Sequence, residues 1–200
     1  MTALRNIPFA CFTHAASFAI RGERASDVAA REALLDTGFG ANRQTRTCQR
    51  LRDGQTPAEG LAFSAVRRGR LVGTVRLWHV SAGGVPALLL GPLAVDPACR
   101  KLGIASALVK HALAAAKARG HGAVLLLGDA PYYARFGFSA LKTGELSLPG
   151  PFERDRLLGL ELGEGALDGA WGMIVPAGMA TPQRKRRFAG RSRKLAPSAA

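Results

Sequence analysis

The chain has 200 residues, of which 48% are hydrophobic and only 6% are aromatic. This length and composition predict one globular domain with an aliphatic core, and they exclude a disordered chain. The formal net charge is +14, and the basic residues after position 180, where no acid occurs, contribute +7 of it. A basic body of this kind suits an anionic ligand without identifying one.

Hydropathy and cysteine content indicate a cytoplasmic protein. The longest mostly apolar stretch, residues 85–95, is interrupted by Pro92 and is far shorter than the roughly 20 residues of a membrane span. We therefore expect neither a transmembrane helix nor a signal peptide. Cys11, Cys48 and Cys99 are odd in number and form no CxxC pair, which favours a reducing compartment. Neither they nor the scattered histidines have metal-ligand spacing, so we expect no metal.

Hydrophobic periodicity and turn residues divide the chain into predicted elements. In chain order we expect a strand at 17–21, a helix at 24–35, loops with at most a short helix at 38–60, strands at 61–66, 71–80 and 87–95, a helix at 104–119, a strand at 123–127, a brief helix at 131–136, and strands beginning at 138–141 and 170–176. This alternation predicts a single α/β domain. Residues 1–14 are predicted as a lead-in, 15–180 as the domain and 181–200 as a basic flexible tail.

The stretch from Gly91 to Ser106 carries the first chemical signal. Pro92 cannot donate to a strand ladder, so backbone groups near it are free to bind a ligand. Gly103 then opens a helix, whose first turn has unpaired N–H groups and a partial positive charge suited to a diphosphate. Arg100 and Lys101 add positive charge beside the same turn.

This stretch resembles the coenzyme-A loop of the GNAT acetyltransferase superfamily, Arg/Gln-x-x-Gly-x-Gly/Ala after a Leu-Ala-Val strand. Arg100, Gly103 and Ala105 occupy its three defining positions. A glycine loop alone is weak evidence of function. Its match here is strengthened by a second motif that follows after one helix and one strand.

The second motif lies in residues 128–138. Tyr133, Gly137 and Phe138 match the Tyr-x-x-x-Gly-Phe signature of the same superfamily. With Gly128 and Asp129 before it, the segment is most similar to the bacterial YhbS-like branch. The resemblance implies a single-domain α/β fold with a mixed, mostly antiparallel sheet flanked by helices, and acetyl-CoA as the cosubstrate.

The resemblance also implies roles for individual residues. The amide of Val95 is expected to face the thioester oxygen, and Tyr133 is expected to protonate the departing thiolate. Tyr133 as a packing aromatic without proton transfer remains an alternative. The residues expected to bind the cofactor are Leu93, Ala94, Val95, Arg100, Lys101, Leu102, Gly103, Ile104, Ala105, Ser106 and Tyr132.

The sequence does not assign a general base. The strand at 87–95 has no glutamate, and the acidic side chains expected near an acceptor are those of Glu145, Glu153, Asp155 and Glu161. A lysine amine, with a pKa near about 10.4, is almost fully protonated at neutral pH, whereas an α-amine near about 8 is partly free. A site without a strong base therefore favours an α-amine or another amine of low pKa.

The predicted function is transfer of an acetyl group from acetyl-CoA to an amine by direct attack. The alternative is a non-catalytic module that binds or senses acyl-CoA with the same loop. The basic tail predicts only nonspecific, salt-sensitive contact with nucleic acid, because no RNA-binding aromatic motif accompanies it. The sequence assigns neither an acceptor nor an oligomeric state.

Overall fold

The computed structural model describes residues 18–180. The predicted lead-in at 1–14 and the predicted tail at 181–200 lie outside the described residues. The strands are β1 (Ala19–Gly22), β2 (Ala62–Arg67), β3 (Arg70–Ala82), β4 (Val85–Leu90), β5 (Ala94–Val95), β6 (Ala123–Leu127), β7 (Leu146–Ser147), β8 (Leu157–Glu161) and β9 (Gly172–Pro176). The α-helices are α1 (Val28–Phe39), α2 (Thr47–Arg50), α3 (Ile104–Ala118) and α4 (Ala130–Ala134).

The strands form one mixed sheet in the order β1-β2-β3-β4-β6-β8. Every neighbouring pair along this path is antiparallel except β4 and β6, which run parallel. The connection between those two strands passes through α3, as a parallel pair requires. The predicted mixed, mostly antiparallel sheet flanked by helices is confirmed.

Helix α3 covers one face of the sheet. Its buried residues Ile104, Leu108, Ala112 and Ala116 recur every four positions, which places them on one side of the helix. They join a core cluster with residues of β2, β3, β4 and β6. A second cluster fills the opposite face. The strand β6 is apolar throughout because both faces of the sheet are covered at that position.

The predicted strand at 87–95 is wrong as a single element. Strand β4 ends at Leu90, and β5 begins at Ala94 and pairs with Gly73 and Thr74 of β3. Pro92 has no N–H to donate, and Gly91 has a φ of +132°, a conformation that side chains of L residues rarely adopt. The interruption at residues 91–93 is therefore a property of these two residues.

Other boundaries differ from the sequence prediction. Residues 138–141 form no strand; Ser139 makes a single bridge to Gly159 of β8, a strand that the sequence did not predict. Helix α1 begins at Val28, after a 3-10 turn at Ala25–Asp27. Among residues 18–180, no helix combines the length and hydrophobicity needed to cross a bilayer.

Candidate active site

The parallel strands β4 and β6 separate at their carboxyl ends. They pair only at Leu88 with Val124 and at Leu89 with Leu125. Beyond those pairs a cavity of about 570 Å³ opens between residues 90–93 on one side and residues 127–129 on the other. We call residues 90–93 and 127–129 the fork. A ligand site at the carboxyl end of a parallel strand pair is common in α/β sheets.

The backbone of β5 leaves one edge available along this fork. The Asp96 N–H donates to the Val72 carbonyl of β3 at 2.9 Å, so Val95 and Gly73 form the non-hydrogen-bonded pair of the antiparallel ladder. The N–H and C=O of Val95 therefore point away from β3. Because β5 continues the course of β4, that free edge faces the gap between β4 and β6.

The loop after β5 leads directly to the first turn of α3. The Asp96 side chain accepts from the Ala98 N–H at 2.9 Å, which fixes the turn at Pro97–Cys99. Gly103 then adopts a left-handed φ of +77° immediately before the helix. A Cβ built on Gly103 would meet no atom within 4 Å, so this side of the turn is open. Arg100 and Lys101 are exposed on the same loop.

Tyr133 enters the cavity from α4. The Asp129 side chain caps this helix by accepting from the Tyr132 N–H at 3.1 Å. A Cβ on Gly128 would lie 2.4 Å from Cε2 of Tyr133, so only glycine allows the ring to lie against the end of β6. Tyr133 lines the cavity, and burial raises its pKa to about 12, with smaller contributions from Tyr132 and Asp129.

Tyr132, the other tyrosine of the motif, lies outside the cavity lining. Its ring is 4.6 Å from the Arg135 guanidinium and 5.6 Å from the Phe136 ring centroid. Its hydroxyl is buried without a hydrogen-bond partner among residues 18–180. The Tyr132 ring therefore packs against the residues that follow α4, and the two tyrosines have different surroundings.

The opposite side of the cavity comes from two segments far apart in the sequence. Residues 39–52 and residues 151–156 meet there, and the Thr47 hydroxyl donates to the Pro151 carbonyl at 2.5 Å. The Arg50 guanidinium adds a hydrogen bond to the Pro149 carbonyl at 2.6 Å. We call the cavity-lining residues of these two segments the arginine wall, because it includes Arg43, Arg46, Arg52 and Arg156.

The sequence did not predict the arginine wall. Residues 38–60 carry no periodicity, and we expected loops there with at most a short helix. The structure forms the 3-10 turn Ala41–Thr45 and helix α2 in this segment. No sequence pattern near these arginines places them on the cavity. Their position depends on contacts between their segment and residues about a hundred positions away.

Of the four candidate bases, only Glu153 lines the cavity. Its side chain is 70% exposed, so it lies at the solvent edge. Glu161 instead accepts from the Leu167 N–H at 2.8 Å, and its carboxylate is 3.6 Å from the Lys142 ammonium. Asp129 is the second carboxylate on the cavity lining, and it was not among the four candidate bases.

The cavity also contains a thiol but offers no metal site. Burial raises the pKa of Cys48, which keeps its thiol protonated. No group of three or more His, Cys, Asp or Glu side chains within residues 18–180 is arranged to hold a metal ion.

Strand β4 leads through β5 and the turn at Gly103 into α3, and the chain then returns to the fork in β6. Residues 29–138 match the model of the Acetyltransferase (GNAT) family. The chain belongs to this family and is an N-acetyltransferase by family membership. The predicted family is confirmed.

The chain is similar to particular members of the family. It is 30% identical to the uncharacterized N-acetyltransferase YhbS of Escherichia coli K12 over 157 residues, which is 78% of this chain and 93% of the relative. The crystal structure of Escherichia coli YhbS in complex with CoA superposes with a TM-score of 0.69 at 29% identity, covering 80% of this chain and 89% of that one. The predicted resemblance to the YhbS branch is thereby confirmed.

A more distant structure has the same fold. The GNAT acetyltransferase of Brucella melitensis in complex with acetyl-CoA superposes with a TM-score of 0.50 at 26% identity. The match covers 76% of this chain and 99% of that one.

Proposed function

We propose that this chain transfers an acetyl group from acetyl-CoA to an amine that attacks the thioester directly. The fork is the observation that carries the proposal, because three elements of the reaction lie around it. Val95 offers an unpaired backbone edge, Gly103 opens the helix behind it, and Tyr133 lies across the gap. The similarity to structures that contain CoA or acetyl-CoA supports the choice of cosubstrate.

The cofactor would lie along the backbone from β5 to α3. The pantetheine arm would add to the free edge of Leu93, Ala94 and Val95 as an extra strand, in the manner of β-augmentation. The pyrophosphate would sit on the loop and first helical turn. In the described chain, the first α3 amide with a backbone acceptor is that of Ala107, which donates to Gly103 at 3.0 Å. The amides assigned to the pyrophosphate precede it: those of Arg100, Lys101, Leu102, Gly103, Ile104, Ala105 and Ser106. The Arg100 N–H already donates to the Pro97 carbonyl at 3.3 Å, so Arg100 would contribute mainly the charge of its side chain.

In the proposed reaction the amine nitrogen attacks the thioester carbon and forms the C–N bond. The Val95 N–H donates to the oxyanion, which places a backbone donor where negative charge develops. Collapse of the intermediate breaks the C–S bond, and the thiolate takes a proton from Tyr133. The ammonium proton released by the attacking nitrogen restores the phenol, so one proton moves overall from nitrogen to sulfur.

The pKa of Tyr133 sets a condition on this step. A pKa of about 12 keeps the phenol protonated at neutral pH, as a donor requires. A thiol has a pKa near about 8.5, so complete transfer from Tyr133 is favourable only when the phenolate is reprotonated at once. The proton released by the amine meets that condition, because it is produced in the same cavity.

The acceptor would enter as a free base. The carboxylates on the cavity lining are those of Asp129 and Glu153, and both residues are exposed. An amine of low pKa, such as an α-amine, has the larger uncharged fraction at neutral pH. This supports an acceptor of that kind.

Two measurements test the proposal together. Acetyl-CoA at 100 times its dissociation constant should raise the free energy of unfolding by about 2.7 kcal/mol. A panel of amines should then release free thiol from acetyl-CoA in the presence of the protein. Stabilisation without thiol release for any amine would leave only a non-catalytic acyl-CoA-binding module, and the absence of stabilisation would overturn the cofactor assignment.

The compartment is also part of the proposal. Cys48 and Cys99 are free thiols in the structure, and Cys99 is buried. Free thiols are typical of a reducing compartment, which supports a cytoplasmic location.

A further inference from the structure

The arginine wall contains more arginines than the neighbouring carboxylates pair with. Nε of Arg43 lies 2.6 Å from the Asp36 carboxylate, and Arg43 also pairs with Glu32. The Arg156 guanidinium lies 3.4 Å from Glu153. The two remaining arginines, Arg46 and Arg52, have no carboxylate within salt-bridge distance among residues 18–180. An unpaired cation beside a cavity attracts an anionic ligand.

Arg52 has an unusual environment for a cation. Its Nε is buried and has no hydrogen-bond partner among the described residues, while Nη2 donates to the Gln49 side chain at 3.2 Å. Burying a donor on a charged group without a partner costs free energy that a bound anion would recover. Burial also lowers the pKa of the Arg52 guanidinium, although an arginine stays charged.

Arg52 is close to the atoms that react in the proposed mechanism. A Cβ built on Gly91 would lie 3.8 Å from Nη1 of Arg52, and Gly91 belongs to the fork. A small molecule could therefore place an anionic group on Arg52 and its amine at a thioester beside Leu93 and Val95. The cavity measures about 570 Å³ and must also admit the thioester end of the cofactor, so the part of the acceptor that enters it is small.

Arg46 adds a second donor group to the same cavity. Its guanidinium stacks over Phe39 at 5.2 Å from the ring centroid, and Nη2 donates to the Phe39 carbonyl at 3.2 Å. These contacts hold the planar group without neutralising its charge. A guanidinium presents paired N–H donors that match the oxygens of a carboxylate or a phosphate.

We propose that the acceptor is a small amine that also carries an anionic group, a carboxylate or a phosphate, and that Arg52, assisted by Arg46, binds this group. The proposal rests on the acetyltransferase function proposed above and names the substrate class of that site. It also predicts which amines are rejected, because a polyamine would bring further positive charge to the arginine wall.

Matched amines test the proposal on the wild-type protein. One series compares L-phenylalanine with its carboxamide and with phenethylamine; another compares phosphoethanolamine with ethanolamine; spermidine serves as the polycation. We expect kcat/KM to be about 10–100-fold higher for the anionic member of at least one series. The carboxylate raises the pKa of the α-amine relative to the carboxamide, and the phosphate raises that of the amine relative to ethanolamine. In these two comparisons the anionic member has the smaller uncharged fraction in solution, so a preference for it must come from the protein.

The variant Arg52→Gln separates the role of this side chain from general effects. It should reduce the ratio of kcat/KM for anionic over neutral amines to near one, and Arg52→Lys should restore part of the ratio because it returns charge without the paired donors. The matched control is Arg68→Gln, at an exposed turn away from the cavity. The thermal shift with acetyl-CoA verifies that each variant retains its cofactor site.

The outcomes distinguish this proposal from the one on which it rests. The anionic acceptor is wrong if each neutral amine reacts as well as its anionic counterpart and Arg52→Gln leaves the ratios of kcat/KM unchanged. The neutral amines are the carboxamide and phenethylamine in the first series and ethanolamine in the second. The acetyltransferase function stands in that case. If no amine releases thiol, both fail. Should Arg52→Gln not fold, the wild-type series and Arg46→Gln still decide, and equal rates for all matched amines would overturn the proposal.

Discussion

The cofactor side and the acceptor side of the cavity are built in different ways. The cofactor side is one continuous stretch, residues 91–106, and its proposed contacts are mainly backbone groups of β5 and the first turn of α3. The acceptor side is a set of side chains from residues 39–52 and 151–156, joined by the hydrogen bond from Thr47 to Pro151. One side is local in sequence and the other is not.

This difference explains why the family could be identified and the acceptor could not. A backbone site requires a few residues with special conformations, such as Gly103, and these leave a fixed spacing in the sequence. A side-chain site requires only that several residues meet in space. The proposed cofactor side therefore indicates the reaction, while the proposed acceptor side would determine its specificity.

The largest expected effect is at the cofactor side. Gly103→Glu should abolish the stabilisation by acetyl-CoA, about 2.7 kcal/mol at 100 times the dissociation constant, because a carboxylate would face the pyrophosphate. Gly103→Gln has the same size and the same backbone strain, so it should retain more of the thermal shift. Normal binding by the Glu variant would show that the pyrophosphate lies elsewhere.

The second largest effect is expected at Tyr133, which lies between the cofactor side and the acceptor side of the cavity. Tyr133→Phe should lower turnover by about a hundredfold while the dissociation constant of acetyl-CoA changes little, since the ring still packs but the proton donor is gone. Steady-state kinetics and the acetyl-CoA thermal shift measure the two quantities separately. Wild-type turnover of the Phe variant from about pH 6 to 9 would assign Tyr133 to packing, with the thiolate protonated by water or by the amine.

The close approach between Gly128 and Tyr133 gives a second test of this position. A methyl group on Gly128 would overlap the Tyr133 ring, so Gly128→Ala should destabilise the fold by about 1–3 kcal/mol and lower turnover as the hydroxyl moves. Gly144→Ala is the matched control, because a Cβ there meets nothing within 4 Å. Equal denaturant midpoints and equal turnover for the two variants would contradict the placement of this ring.

The pH profile tests the absence of a strong base on the acceptor side. Below the pKa of the acceptor amine, kcat/KM should rise about tenfold per pH unit, because only the free base attacks. With a pKa of about 12, Tyr133 remains protonated throughout, so no fall is expected at the alkaline end of an assay up to about pH 10. A decline near pH 9 would indicate a proton donor of lower pKa than Tyr133.

The smallest effect is expected from the end of the chain. Deletion of residues 183–200 should leave the acetyl-CoA thermal shift and thiol release unchanged, since both motifs lie upstream. Titration of the full chain and the truncated chain with acetyl-CoA, followed by the amine panel, provides the comparison. A large loss of activity would place the basic segment at the acceptor side.

Local sequence patterns were sufficient to predict the helix and the strand around the proposed cofactor site. The four-residue spacing of Ile104, Leu108 and Ala112 predicted α3 to within one residue, and the apolar run at 123–127 predicted β6. The position of the break in the strand at 87–95 was harder to predict from the sequence. Pro92 signals a disruption, but the end of β4 at Leu90 and the pairing of β5 with β3 depend on the register between strands.

The sequence by itself determined the family, because the motifs at residues 100–105 and 133–138 each depend on residues a few positions apart and occur in the expected order. Only the tertiary structure decided which arginines remain available for a ligand. Arg43 and Arg52 both belong to an arginine-rich segment without periodicity, yet Arg43 pairs with Glu32 and Asp36, whereas Arg52 has no such partner among the described residues. The energy of an ion pair depends on the distance between charges and on their burial, and both are set by the fold.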